Sequence, residues 1–150
     1  MQFKRLTVLA LAGLLSVTAV ATVLADSPLT ADEAVTARQA AMKADGKVLR
    51  GADGLTGDKA IAALQTVVDN YSKLPSLFPK DSITDKSLAL PIIWTEFDKF
   101  SAIFKSGADA ATDGIAAVKA GDMAKYKADV ETIAQTCNTC HMTYRQKKDG

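Results

Sequence analysis

Between Met123 and Tyr144 the residues Met123, Tyr126, Val130, Ile133, Cys137, Cys140 and Tyr144 follow one another at alternating steps of three and four. Only a helix brings positions so spaced onto one line; a strand needs a period of two. A helix with such a seam must bury it against partner helices, as in a packed bundle. The rest of the chain offers three. A first helix is predicted over 30–50, where Thr30 and Glu33 form a capping box and Val35, Met42 and Leu49 recur every seven residues. Arg38 and Asp45 fall on the same seam. A second is predicted over 58–73 with the stripe Ile61, Leu64, Val68 and Tyr71, ended by Pro75 and Pro79. After a connection to which Phe78, Ile83, Leu88 and Leu90 lend apolar anchors, a third starts near Pro91. It carries the stripe Ile93, Phe97, Phe100 and Phe104 and reaches about Lys119. Gly121 closes it, and Asp122 caps the fourth. With no strand signal, the fold class is all-α, an antiparallel four-helix bundle.

The first residues stand apart. Lys4 and Arg5 precede a stretch free of charge up to Asp26, and Val23-Leu24-Ala25 has the form of a cleavage signal. Residues 1–25 therefore read as a cleaved signal peptide, and 26–150 as the single bundle domain. A stretch this long and apolar also has the length of a membrane anchor. Its Thr and Ser content and terminal Ala favour cleavage, with no stable membrane insertion afterwards. The chain has 18 basic and 17 acidic residues. Removing Lys4 and Arg5 leaves 16 against 17, a balance with no basic footprint for nucleic acid. An exported pair of cysteines would by default form a disulfide.

The chemistry sits in Cys137-Asn138-Thr139-Cys140-His141, the C-x-x-C-H attachment signature of c-type haem. Two thiols three residues apart on a helix reach the two vinyl groups of one porphyrin, and the adjacent His supplies an axial nitrogen to the iron. A thioredoxin-like redox pair would follow a strand and open a helix, whereas this pair lies deep in a helical pattern. A zinc site lacks a fourth ligand, since the chain has two Cys and one His. A structural disulfide within one helical turn would be strained. Both Cys occupy seam positions, so the haem is expected inside the bundle, with the third-helix phenylalanines as wall or as ordinary core.

With one His, bis-histidine coordination is excluded. Met142 neighbours His141, and Met123 lies about 27 Å away along the same helix at 1.5 Å per residue. Met42 is left as the Met free to face His141, as ligand or as packing over a five-coordinate iron. Arg38, one turn earlier, needs an anion if buried. A haem propionate or an acidic residue such as Asp45 would serve.

The segment ETIAQTCNTCHMTYRQK, with Tyr144 and Arg145 after the haem motif, resembles the cytochrome c-prime family. The first-helix sequence RQAAMKADG is similar to that family's low-spin, methionine-ligated c-556 branch. The resemblance spans the mature chain. It implies a four-helix bundle with one covalent haem c on Cys137 and Cys140, His141 as proximal ligand, Met42 as distal ligand and Arg38 as propionate partner. It also matches Arg145 to a basic residue that influences the iron environment. Two functions follow. One is a non-enzymatic periplasmic electron carrier with a His/Met low-spin haem, exchanging electrons with periplasmic redox proteins. The other is a five-coordinate, high-spin haem protein binding nitric oxide or carbon monoxide. Either accommodates a homodimer.

Overall fold

The helices begin and end where their caps dictate. At the start of α1 (Ala31–Leu49) the Thr30 hydroxyl accepts from the Glu33 amide at 3.3 Å, and the Glu33 carboxylate accepts from the Thr30 amide at 2.8 Å. This reciprocal pairing satisfies two backbone donors that a helix start leaves open. Gly51, at φ 82°, turns the chain in the left-handed region that suits glycine. Helix α2 (Gly57–Lys73) follows. The single-turn α3 (Ile92–Thr95) and the long α4 (Phe97–Ala120) come next. Gly121, at φ 77°, closes α4, and the Asp122 carboxylate accepts from the Lys125 amide to open α5 (Met123–Tyr144). The computed structural model describes residues 28–147, so the signal peptide expected at 1–25 lies outside the described residues.

The four long helices form the bundle. Helix α4 packs along both α2 and α5, while α1 packs mainly on α2. The α5 seam is as expected: Tyr126, Val130, Ile133, Cys140 and Tyr144 are buried, with Met123 and Cys137 half-buried. Two expectations need correction. The third helix is broken at Glu96 (φ −124°, ψ 34°), so Phe97 opens a new helix and lies 37% exposed, while Phe100 and Phe104 point inward. The α2 face is also rotated slightly. Ala60, Ala63, Leu64, Val67 and Tyr71 are buried, whereas Ile61 and Val68 sit at its edges. Glycines on α4 admit two of the buried α2 side chains. A Cβ on Gly114 would stand 2.6 Å from Leu64 Cδ1, and one on Gly107 would stand 2.7 Å from Tyr71 Cδ2.

At one end of the bundle the chain after α5 pairs with the connection before α3. The Leu90 amide donates to the Tyr144 carbonyl at 2.9 Å, and the Gln146 amide donates to the Leu88 carbonyl at 2.8 Å. Ala89 and Arg145 face each other across this short antiparallel bridge. Among the described residues no helix is long and apolar enough to cross a membrane.

Candidate functional site

Where α1 would meet α5, two cavities intervene. The larger, about 590 Å³, is lined by Arg38 and Met42 of α1, by Phe78 and Phe100, and by Cys140, His141, Tyr144 and Arg145. An inner one of about 170 Å³ is lined by Met42, Asp45, Tyr71, Phe104, Thr136 and Cys137, and shares Cys140 and His141 with the first. Helical spacing explains the convergence. Arg38, Met42 and Asp45 recur on one face of α1, and Cys137, Cys140, His141 and Tyr144 recur on the facing side of α5.

The two thiols are not joined to each other. Burial pushes the Cys140 thiol up to about 11, and both cysteines lie in the C-terminal half of α5, away from the helix start that lowers a thiol in a thioredoxin-like pair. Among the described residues no three His, Cys, Asp or Glu side chains cluster to hold a zinc ion. The Cys137 sulfur lies 3.1 Å from the Tyr71 hydroxyl. Burial, and then the Arg145 charge, lower the His141 imidazole, favouring the neutral form that binds metal. Met42 is half-buried and lines both cavities. Met142 is 83% exposed, and neither it nor Met123 belongs to either lining.

Arg38 is 3% exposed, and its guanidinium lies 4.3 Å over the Phe78 ring. Nη1 donates to the Leu77 carbonyl (3.1 Å) and the Ser82 hydroxyl (2.7 Å). Nη2 donates to the Ser82 carbonyl (2.7 Å) and the Ser87 hydroxyl (2.8 Å). Every one of these acceptors is neutral. The acidic alternative, Asp45, is engaged elsewhere: its Oδ1 accepts from Asn70 at 2.6 Å. A buried cation with no counter-anion is costly, and burial lowers the Arg38 pKa accordingly. The arrangement fits a haem. Two thiols and one imidazole on one wall face a thioether on the other, in an apolar cavity bordered by a cation that a propionate would neutralise.

A sequence model of the family described as Cytochrome C' matches residues 32–145. The chain belongs to the cytochrome c' family. Among relatives, the cytochrome c-556 of Agrobacterium tumefaciens strain II Chrys is 37% identical over 108 residues, covering 71% of this chain and 86% of that protein. The cytochrome c' of Rhodopseudomonas palustris is 38% identical over 94 residues, which span 61% of this chain and 63% of that relative. A solved cytochrome c' from Rhodopseudomonas palustris superposes with a TM-score of 0.68 at 31% identity, covering 77% of this chain and 98% of that one. As a cytochrome c' family member the chain is a haem protein with one covalently attached haem c, for which Cys137 and Cys140 are the two cysteines in the sequence.

The structure brings Arg38, Met42, Cys140, His141 and Arg145 to the larger cavity and Cys137 to the inner one. Sequence reasoning missed the serines that hold Arg38, because a loop gives no periodicity from which to place Ser82 and Ser87. It also took Tyr71 for core alone. The position of Tyr71 on the α2 stripe was visible, but the partner of its hydroxyl was not.

Proposed function

We propose that this cytochrome c' family member is an exported, periplasmic one-electron carrier whose haem iron is held by His141 and Met42, and that it catalyses no reaction by itself. The observation carrying this reading is the placement of Met42. It lines both cavities together with His141 and from the opposite helix, while the other mature-chain methionines stay outside them. Haem supplies the one-electron chemistry. A Met thioether on iron favours Fe(II) and leaves no open coordination position for a gas. Cys137 and Cys140 hold the group through thioether bonds. His141, whose imidazole is biased toward the neutral form by desolvation and the Arg145 charge, presents a nitrogen lone pair. Arg38 and Arg145 place positive charge at the cavity wall and mouth, where propionates would be matched.

The visible spectrum of the purified protein tests this directly. The expected result is a low-spin reduced form with sharp α and β bands and a weak charge-transfer band of the Fe(III)–Met bond. Met42→Ala should abolish that band, turn the protein high-spin, lower its potential and admit carbon monoxide on reduction. A wild-type protein that is already high-spin and binds carbon monoxide would reduce Met42 to packing and make the gas-binding reading the correct one.

A further inference from the structure

The haem motif explains why Cys137 is present, but not why a buried tyrosine from another helix touches its sulfur. Tyr71 is 5% exposed, and its hydroxyl lies 3.1 Å from Cys137 Sγ and 3.5 Å from Thr136 Oγ1. The ring is fixed from two sides. Phe104 meets it edge-on at 5.5 Å, and Gly107 of α4 leaves the space it occupies.

We propose that Tyr71 donates a hydrogen bond to the Cys137 sulfur once that sulfur is a thioether, and so acts as a positioning residue that raises the potential of the haem. The direction of the bond follows from counting protons. When Cys137 adds across a vinyl group, its sulfur bonds to the vinyl α carbon, the S–H bond breaks and that hydrogen ends on the β carbon. No oxidant or reductant is needed. The sulfur then has lone pairs and no proton, so it can only accept. Thr136 cannot supply the proton either, because its hydroxyl donates to the Ile133 carbonyl at 2.7 Å. The single Tyr71 proton thus has two acceptors, and the sulfur is the nearer. Burial holds the phenol well above its ordinary pKa, so the proton stays in place. A donor dipole with its positive end toward the macrocycle edge stabilises the added electron, the kind of outer-sphere hydrogen bond by which proteins tune metal centres. The proposal rests on haem attachment at Cys137 and not on the identity of the sixth ligand.

The test compares haem-loaded wild type, Tyr71→Phe and Thr136→Val by spectroelectrochemical titration, with intact mass confirming covalent haem. Tyr71→Phe keeps the ring and should keep both thioethers, yet its midpoint potential should shift below wild type. Thr136→Val, which removes the competing acceptor and the bond to the Ile133 carbonyl but keeps the Tyr71 phenol, should not lower the potential. An unchanged potential in Tyr71→Phe overturns the proposal, as does an equal downward shift in Thr136→Val. If Tyr71→Phe fails to yield holoprotein, wild type prepared in H2O and in D2O decides by resonance Raman. A shifted C–S band supports the donor hydrogen bond, and an unshifted one overturns it. Loss of Met42 ligation alone would leave the Tyr71 comparison intact, while wild type without covalent haem at Cys137 would remove its basis.

Discussion

Arg38 and Asp45 sit two helical turns apart on one face of α1, and the protein treats them in opposite ways. Arg38 is tied by four hydrogen bonds to the connection after α2. Arg38→Leu would leave the Leu77 and Ser82 carbonyls without their donor, at a cost of roughly 2–4 kcal/mol in denaturant unfolding. It would also remove a positive charge from the cavity wall, so the midpoint potential should fall. An unchanged potential would assign Arg38 to the loop alone. Asp45 is 2% exposed, and its Oδ2 has no hydrogen-bond partner. Burial raises its pKa from 3.8 to about 6, with Asn70 opposing. The folded state therefore holds this proton more tightly than the unfolded chain does. The stabilisation is complete below about pH 4 and is lost as pH rises through about 6, a change of up to about 3 kcal/mol. Unfolding curves of Asp45→Asn between pH 4 and 7 should lack this downward slope; an identical slope would show that Asp45 does not titrate there.

Between elements, the α2–α4 contact depends on what α4 leaves out. Gly107→Ala gains about 1 kcal/mol of helix propensity, but the new Cβ meets the rigid Tyr71 ring. Overpacking of this kind costs about 1–3 kcal/mol, so the variant should be less stable than wild type. Gly114→Ala should cost less, because its new contact is the rotatable end of Leu64. Thermal melts of the two variants give the order, and a stabilised Gly107→Ala would refute the close approach. These glycines mark the limit of what periodicity conveys. The seam of α5, the capping box at Thr30 and the stop at Gly121 were legible, since each is a local rule applied to neighbouring residues. The burial of Val67 in place of Val68, the break at Glu96 and the exposure of Phe97 were not, because they depend on the shape of a neighbouring helix. The site divides the same way. Cys137, Cys140 and His141 announce themselves by spacing, and Met42 emerges by elimination. The grip of Ser82 and Ser87 on Arg38 joins residues more than 40 positions apart.

At the scale of the molecule, haem attachment should require the α5 cysteines together. The double variant Cys137→Ala/Cys140→Ala should lose haem staining on a denaturing gel, and persistent stain would contradict the attachment. The other three helices are arranged around that one unequally. Helix α4 is gripped by α2 and α5, whereas α1 rests mainly on α2 and borders the cavities on its other side. Of the four long helices α1 makes the lightest contact with its helical neighbours, and sparsely packed elements open most readily, so local unfolding should begin there. Amide hydrogen exchange should accordingly run fastest along α1 and slowest along α4, and α1 should gain the most protection when haem bridges it to α5. The first helix would then owe much of its persistence in time to the group it encloses, and the rate at which its amides exchange would record how firmly that group is held.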